Sequence, residues 1–353
     1  MRILILALSG IGDALMFTPA LKLLRQAEPG AQIDALVMFK GVKDMYERNE
    51  NINNVLHFDF MKNGAAASLK FVLSLRGKYD VSITVYPSNR KEYNVINFLI
   101  GANKRAGAKY LRRDFYELGF LNNLRVSEND SVHNVKTNIK LIGALLKREF
   151  TEEPPLEFHV SAEDENYAAK FLTEKKITHD DVVIGFHPGS ATLKNHIKRR
   201  WEPEKFAELG RRLVNNNNAK ILLFGGPEEN DLKEKISTQI NSDNAFPVTA
   251  NSLAESAALV KKCNTFVSND SSLMHVAAAM QRKVVAIIGP TNPTYIHPWK
   301  TEHQIVTLNL ECAPCFIYSP RPLICAREDV KFKCIKELSV EPVYRAVEKF
   351  LAL

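Results

Sequence analysis

Short apolar runs alternate with amphipathic stretches along the first half of the chain. A run with almost no polar residue is typical of a strand that is buried on both faces of a parallel sheet, and apolar residues recurring every three or four positions indicate a helix. The pattern predicts strands at residues 3–8, 33–39, 54–58 and 81–85, and helices at 14–26, 66–75 and 135–146. Strands and helices that alternate in this way favour a doubly wound α/β sheet.

The same alternation begins again after a polar segment with two prolines, Thr151-Glu-Glu-Pro-Pro155, which is the best linker candidate. It predicts strands at 182–186, 219–224, 265–268 and 284–288, with helices at 204–214, 272–280 and 340–350. We therefore expect two similar sheet domains facing a central cleft, residues 1–155 and 156–338. The remaining residues, 339–353, are expected to form a C-terminal helix that packs back on the first domain.

The first strand runs directly into Ser9-Gly10-Ile11-Gly12-Asp13. This turn places a carboxylate at the carboxyl end of a strand and beside a helix N-terminus, where open α/β sheets bind ligands. An ordinary helix cap would also explain Asp13. A dinucleotide fingerprint fits poorly, because its third glycine is replaced by Leu15.

Small and polar residues follow several strands of the second half. Asn269-Asp270-Ser271-Ser272 precedes a helix whose free N–H groups and serine hydroxyls suit a phosphate, although a plain helix cap has the same appearance. Lys198-Arg199-Arg200 is a compact basic patch, suited to a diphosphate or simply solvated. His275 is a candidate ligand contact or an ordinary hydrogen-bonded histidine. No Walker A sequence is present, which argues against a P-loop phosphotransferase.

The basic charge is concentrated in the first half of the chain. Residues 1–155 hold 22 basic against 16 acidic side chains, so they carry +6 of the total net charge of +7. The excess is greatest around Arg90, Lys104 and the pair Arg112-Arg113. Such a surface suits a polyanion or an anionic membrane, or is a solvated face; no recognition motif favours nucleic acid.

Four of the five cysteines lie near the C-terminus with the spacing C-x2-C-x9-C-x8-C, at Cys312, Cys315, Cys325 and Cys334. A C-x2-C pair is typical of zinc sites, but the second pair departs from that spacing. Free thiols and disulfides are the alternatives. If a metal binds there, we expect it to be structural.

No stretch of the sequence approaches the length of about 18 apolar residues that a membrane span requires. The apolar run at residues 3–8 is short and has no small-residue cleavage site after it. The sequence therefore predicts a cytoplasmic protein.

Five ordered blocks, together with the opening turn, resemble glycosyltransferase family 9, the heptosyltransferases of lipopolysaccharide assembly. The opening blocks are Gly10-Ile-Gly-Asp-Ala-Leu15 and Thr18-Pro-Ala-Leu21. The later ones are His187-Pro-Gly-Ser190, Arg199-Arg-Trp201, Gly225-Gly-Pro-Glu-Glu229, Ser268-Asn-Asp-Ser-Ser-Leu-Met-His275 and Gly289-Pro-Thr-Asn-Pro293. The cysteine-rich stretch also looks like one found in part of the family.

The resemblance implies a GT-B enzyme with two Rossmann-like domains, an acceptor site in the first and a nucleotide-sugar site in the second. It implies inversion at the anomeric carbon, no metal requirement, and ADP-L-glycero-D-manno-heptose as donor. Asp13 would be the general base, with Arg199 and Lys198 as cations for the diphosphate. The expected donor contacts are Gly12, Ser190, Glu229, Asp270, Ser271, Ser272 and His275. The family usually has Lys at the position of Arg199, which leaves open which cation meets the phosphate.

The lipopolysaccharide inner core carries carboxylates and phosphates and lies on the inner face of an anionic membrane. We therefore expect Arg90, Lys104, Arg112 and Arg113 to bind the acceptor, and the enzyme to sit peripherally on the inner membrane. The fold leaves two alternatives open. One is a related transferase that uses another nucleotide sugar for O-antigen or capsule, and the other is a non-catalytic nucleotide-sugar-binding protein.

Overall fold

A computed structural model describes residues 1–318 and 320–352, except for the side chain of Leu193; Leu353, the last residue of the predicted C-terminal segment, lies outside the described residues. The chain forms two compact units. The first comprises residues 1–159 with 294–296 and 317–320, and the second comprises residues 160–293, 297–316 and 321–353.

The first unit is built on one six-stranded sheet. Its strands are β1 (Arg2–Ala7), β2 (Gln32–Val37), β3 (Asn54–His57), β4 (Val81–Thr84), β5 (Lys104–Lys109) and β6 (Leu124–Ser127). Its helices are α1 (Ile11–Ala27), α2 (Lys40–Tyr46), α3 (Gly64–Ser74), α4 (Lys91–Ile100) and α5 (Asn134–Leu146), with a 3-10 turn at Gly119–Leu121. All pairs are parallel, in the order β3-β2-β1-β4-β5-β6.

The second unit repeats this plan with a second six-stranded sheet. Its strands are β7 (Val183–His187), β8 (Lys220–Leu223), β9 (Ala245–Pro247), β10 (Thr265–Asn269), β11 (Lys283–Ile287) and β12 (His303–Val306). Its helices are α6 (Ala162–Glu174), α7 (Pro203–Asn217), α8 (Asn230–Ile240), α9 (Leu253–Val260), α10 (Ser272–Ala279), α12 (Lys333–Lys336) and α13 (Val340–Leu351). Two 3-10 segments cover Leu193–Arg199 and Pro227–Glu229, and the short helix α11 (Pro293–Ile296) straddles the division between the units.

The two sheets have the same strand order. The second has the order β9-β8-β7-β10-β11-β12. In each sheet the first three strands are added one after another toward one side, and the next three are added toward the other side, starting beside the first strand. Helices must cover both faces of such a sheet, which explains why the central strands β4, β7 and β10 are buried along their whole length. The prediction of two doubly wound parallel sheets is confirmed.

The C-terminal helix packs on the second unit, so the prediction that it returns to the first domain is wrong. Val343, Val347 and Phe350 of α13 belong to the same buried cluster as Ile184 and Phe186 of β7. Its apolar residues recur every three or four positions, and that stripe is buried against the sheet of its own unit. Among the described residues, no helix is both long enough and apolar enough to span a membrane.

Candidate active site

The opening turn lies where the strand order of the first sheet reverses. β1 and β4 are neighbours there, and the chain leaves them in opposite directions. The Ser9 hydroxyl donates to the carbonyl of Pro87 at 2.9 Å, and its oxygen lies 2.6 Å from the hydroxyl oxygen of Ser88. These contacts join the segments that follow the two strands. Such a reversal opens a crevice at the carboxyl edge of a parallel sheet, the usual ligand position in α/β proteins.

Asp13 is the third residue of α1, so it does not occupy the cap position. That position is held by Gly10, in extended conformation, which has no side chain with which to cap the helix. The capping interpretation of Asp13 is therefore wrong. A carboxylate in the first turn is favoured by the helix dipole, and Asp13 remains half-buried at the edge of the unit.

Three buried tyrosines lie within the electrostatic reach of Asp13. Burial raises the pKa of Tyr46, Tyr93 and Tyr110, and the negative charge of Asp13 contributes in the same direction for each. The Tyr46 hydroxyl donates to the carbonyl of Ala14 at 2.9 Å, while the Tyr110 oxygen accepts the backbone N–H of Ser88. The carboxylate thus lies beside neutral, hydrogen-bonded phenols.

The four predicted acceptor cations have different surroundings. Arg90 follows β4 at the same edge as Asp13, and its guanidinium, 5.7 Å from the ring centre of Tyr93, opposes the rise in the pKa of that phenol. Arg112 is exposed and forms a bidentate pair with Asp130. Arg113 is paired with the buried carboxylate of Glu117 at 2.9 Å.

Lys104 is the one predicted acceptor cation that the strand direction separates from the rest. It begins β5 and is paired with Val81, the first residue of β4, so it lies at the amino edge of the sheet. Asp13 and Arg90 lie at the carboxyl edge. The structure therefore does not bring Lys104 together with them, because strands of this length separate the two edges by more than about 10 Å.

The second sheet reverses its order between β7 and β10, and the residues that end these strands meet there. His187, the last residue of β7, has Nδ1 2.7 Å from the hydroxyl of Ser271 and Nε2 3.2 Å from a carboxylate oxygen of Glu229. All three side chains are buried. The three side chains are joined by hydrogen bonds along the carboxyl edge of the sheet.

Glu229 is held from several sides. The carboxylate oxygen that does not contact His187 accepts a hydrogen bond from Arg200 at 2.6 Å. The oxygen that contacts His187 also accepts from the backbone N–H of Gly226, at 3.3 Å. Burial alone would raise the pKa of Glu229, but the His187 hydrogen bond and the charges of His187 and Arg200 hold it below its ordinary value. Gly189 gives the carboxylate room, because a Cβ there would lie 1.9 Å from a Glu229 oxygen.

Arg199 is buried, whereas Lys198 is exposed. The Arg199 Nη1 donates to Asp270 at 2.6 Å, and the Thr291 hydroxyl donates to the same Asp270 oxygen at 2.6 Å. Its guanidinium also lies 5.3 Å from the ring centre of Phe316. Among the described residues, nothing accepts a hydrogen bond from the buried Arg199 Nε.

The remaining predicted donor contacts lie at or near the same edge, with one exception. Gly12 belongs to the first unit, beside Asp13. Ser190 is buried, and its oxygen lies 3.3 Å from Arg200 Nε. Ser272 begins α10, after Ser271 at the cap position. His275 is buried on α10; burial lowers its pKa to about 4, and its Nδ1 lacks a partner among the described residues.

The cysteines of the structure are free thiols, so disulfides are absent among them. In the part of the chain that the structure describes, no three His, Cys, Asp or Glu residues are grouped so as to hold a metal ion. Burial raises the pKa of the Cys334 thiol to about 11, and the three neighbouring cysteines contribute to the rise. The Cys334 thiol is therefore mostly protonated at neutral pH, and a protonated thiol is a poor nucleophile.

Sequence reasoning missed three members of the second-unit network as individual site residues: His187, Arg200 and Thr291. Each ends or follows a strand at the carboxyl edge, and that position was the available signal. A histidine or threonine at or after a strand end has no distinctive spacing, however. The partners of His187 and Thr291, which are Glu229 and Asp270, lie 42 and 21 residues away in the chain.

The chain is similar to known glycosyltransferases over most of its length. The family model described as glycosyltransferase family 9 (heptosyltransferase) matches residues 68–321. Lipooligosaccharide heptosyltransferase 2 of Haemophilus ducreyi is 27% identical over 321 residues, which cover 87% of this chain and 89% of the relative. Lipopolysaccharide heptosyltransferase 2 of Escherichia coli K12 is 26% identical over 321 residues, covering 87% and 88% respectively.

Solved structures show the same fold. Heptosyltransferase II of Escherichia coli superposes with a TM-score of 0.75 at 21% identity, covering 100% of this chain and 99% of that one. An Escherichia coli heptosyltransferase solved with ADP-2-deoxy-2-fluoro heptose has a TM-score of 0.68 at 20% identity, with coverage of 100% and 99%.

The network around Glu229 predicts a pH-dependent contribution to stability. Glu229→Gln removes the charge that pairs with Arg200, and breaking such a buried pair costs about 3 kcal/mol or more. Because the folded-state pKa of Glu229 is lowered, this stability is present above the unfolded-state pKa of about 4.3 and is lost as pH falls through the folded-state value. Urea unfolding at pH 6 and at pH 3 measures both free energies of unfolding.

The matched control is Glu348→Gln, an exposed carboxylate on α13, which should change the free energy of unfolding little at either pH. A difference between wild type and Glu229→Gln that is equally large at pH 6 and pH 3 would contradict the charge-pair account.

Proposed function

Because the chain belongs to glycosyltransferase family 9, the heptosyltransferases, we propose that it transfers heptose from ADP-L-glycero-D-manno-heptose to an acceptor of the lipopolysaccharide inner core. The observation that carries the donor half of this proposal is the buried Arg199–Asp270 pair at the order reversal of the second sheet. At this edge of the sheet the cation, Arg199, suits the diphosphate of a nucleotide sugar, and the carboxylate, Asp270, suits the hydroxyl groups of the sugar.

Arg199 is the proposed cation for the diphosphate. A buried donor without a partner costs about 1–3 kcal/mol, and a phosphate oxygen on Arg199 Nε would remove that cost. The guanidinium has five donors in all, so it can hold Asp270 and a phosphate at once. We assign Lys198, which is exposed, a supporting electrostatic role. The neighbour solved with an ADP-sugar supports adenosine diphosphate as the nucleotide.

Asp270 and Glu229 are the proposed acceptors for hydroxyl groups of the donor. Both carboxylates are buried and fixed by an arginine, so each presents its remaining lone pairs in a defined direction. Ser190, Ser271 and Ser272 line the same edge, together with the N-terminus of α10, and supply donors for the diphosphate. His275 is neutral at pH 7 because its pKa is about 4, and can accept a hydrogen bond from the ligand.

Asp13 is the proposed general base on the acceptor side, with Gly12 leaving room beside it. The acceptor hydroxyl oxygen attacks the anomeric carbon as the bond from that carbon to the diphosphate oxygen breaks. The hydroxyl proton passes to Asp13, and the electron pair leaves with ADP, whose charge Arg199 stabilises. A single displacement of this kind inverts the anomeric configuration.

Under the same proposal, protein cations and backbone N–H groups stabilise the negative charge that develops on the leaving diphosphate, so catalysis requires no metal ion. On the acceptor side, Arg90 would bind an anionic group of the inner core, with Arg112 and Arg113 on the loop that follows β5. The acceptor belongs to a lipid, and the first half of the chain is basic; both support a peripheral position on the inner face of the inner membrane.

Replacing the proposed base separates chemistry from binding. Asp13→Asn keeps the size of the side chain but cannot take the proton, so we expect the rate of heptose transfer to fall by about a hundredfold or more. Mass spectrometry of a defined core acceptor incubated with ADP-heptose measures transfer, and calorimetry measures ADP binding, which should be unchanged.

Asp44→Asn, on α2 of the same unit, is the matched control and should retain full activity. Retained turnover in Asp13→Asn would remove this residue as the base. An absence of transfer by the unaltered chain with ADP-heptose would contradict the proposed function itself.

The strand direction makes a second prediction, which distinguishes two of the acceptor cations. Arg90→Gln should raise the KM for the acceptor about tenfold, because a charge-assisted hydrogen bond to an anionic sugar is lost. Lys104→Gln, at the opposite edge of the sheet, should change that KM less than twofold. Initial rates at varied acceptor and donor concentrations test both variants, and equal effects of the two substitutions would contradict the assignment.

A further inference from the structure

An apolar helix of the first unit is exposed. In α3, Val72 is the one buried residue among the eleven, and it packs with Leu4 and Leu36 of the sheet. Leu69 and Leu73 lie on the outer side, with side chains 47% and 43% exposed, and Met61 just before the helix is 59% exposed. Exposed large apolar residues that recur along one helix face mark a binding surface.

Basic side chains outnumber acidic ones around this helix. Residues 59–80 contain four basic side chains, Lys62, Lys70, Arg76 and Lys78, and two acidic ones at the ends of the segment, Asp59 and Asp80. Of the four cations, Lys62 lies 3.9 Å from the Asp59 carboxylate. An apolar face flanked by long basic side chains is typical of helices that lie in the interface of an anionic membrane.

A second exposed patch lies in the loop between β5 and β6. Phe115 and Tyr116 are 75% and 72% exposed, and Phe120 and Leu111 are about half exposed. The ring centres of Phe115 and Phe120 are 5.6 Å apart, so the aromatic side chains form a cluster. Aromatic residues of this kind concentrate at membrane–water interfaces.

Helix α4 connects the two patches on one face of the sheet. Val72 of α3 and Ile96 of α4 share one buried cluster with β1. On the other side of α4, the Asn94 amide donates to the carbonyl of Glu117 at 2.7 Å, which fixes the aromatic loop. Phe98 of α4 is exposed as well, with the Arg105 guanidinium 5.5 Å from its ring centre.

We infer that this surface, formed by the outer side of α3, Phe98 and the 111–120 loop, docks the protein on an anionic lipid bilayer. The cations distinguish a bilayer from a protein partner, because the cores of protein interfaces are depleted in lysine, whereas lysines flanking an apolar face attract anionic headgroups and keep their charge in water. The inference deepens the membrane contact of the proposed function and identifies the surface that makes it.

Vesicle sedimentation of the full chain tests the assignment. Wild type should bind vesicles of phosphatidylethanolamine with phosphatidylglycerol, and bind vesicles of phosphatidylcholine alone much more weakly. Leu69→Gln/Leu73→Gln and Phe115→Ser/Tyr116→Ser should each lower the partition coefficient about tenfold or more, since each removes two apolar side chains from the lipid. Lys62→Gln/Lys70→Gln should lower binding to the anionic vesicles alone.

Matched controls come from the second unit. Ile324 is 76% exposed and Lys349 is an exposed lysine, so Ile324→Ser and Lys349→Gln should leave vesicle binding within twofold of wild type. Thermal unfolding of all variants should be unchanged, because the substituted side chains are exposed. Equal losses in the control and surface variants, or no binding by wild type, would overturn the inference.

Transfer assays separate this inference from the proposed function. The surface variants should transfer normally to a water-soluble, deacylated acceptor and poorly to the same acceptor embedded in vesicles. Loss of transfer to both acceptors would overturn the docking role. If the wild type is a dimer and the surface substitutions dissociate it, the surface binds a second copy of the chain and the membrane-docking inference is overturned. If the wild type does not transfer heptose to the soluble acceptor, the proposed function is refuted instead.

Discussion

The reversal of strand order in each parallel sheet determines where chemistry can occur in this protein. A parallel sheet directs all of its carboxyl ends to one edge, and the reversal separates the two loops that leave its central strands. In the first unit this happens between β1 and β4, where Asp13 and Arg90 follow the strands. In the second it happens between β7 and β10, where His187 ends β7 and Asp270 follows β10. The candidate functional residues come from distant parts of the chain, yet the topology brings them to two sheet edges.

The second-unit edge is organised by two arginine–carboxylate pairs. Arg199 is paired with Asp270 and Arg200 with Glu229, each at 2.6 Å. Buried pairs of this type contribute little net stability, because desolvation offsets the attraction. They do fix the direction of each group before any ligand arrives, and such preorganisation is what stabilises a developing charge in a transition state. The adjacent arginines therefore have distinct partners, which a basic run in the sequence did not reveal.

The sequence predicted most of the architecture and only part of the site. Apolar strands such as residues 3–8 and 284–288 stood out because burial on both faces leaves little freedom of composition. The helix α4 and the strands β5 and β6 were not predicted; in β5, Lys104 and Arg105 interrupt the apolar pattern. The C-terminal helix was found, but not its packing partner, because an amphipathic stripe does not specify which core it meets.

For the site, the turn at Asp13 and the residues Arg199, Glu229 and Asp270 were predicted from strand ends and family blocks. Lys104 shows the limit of such reasoning. It has the same charge as Arg90 and belongs to the same basic half of the chain, but the edge on which it lies depends on where β5 begins. His187 and Thr291 illustrate the complementary limit, since their roles depend on carboxylates that only the folded chain brings within hydrogen-bonding distance.

The most direct test of the central claim, a single displacement at the anomeric carbon of a heptose donor, is the stereochemistry of the product. Nuclear magnetic resonance of the core acceptor after reaction with ADP-heptose gives the configuration at the newly formed glycosidic carbon. The account predicts one added heptose whose configuration is inverted relative to the donor. A product with retained configuration, or an acceptor that gains no heptose, would contradict it.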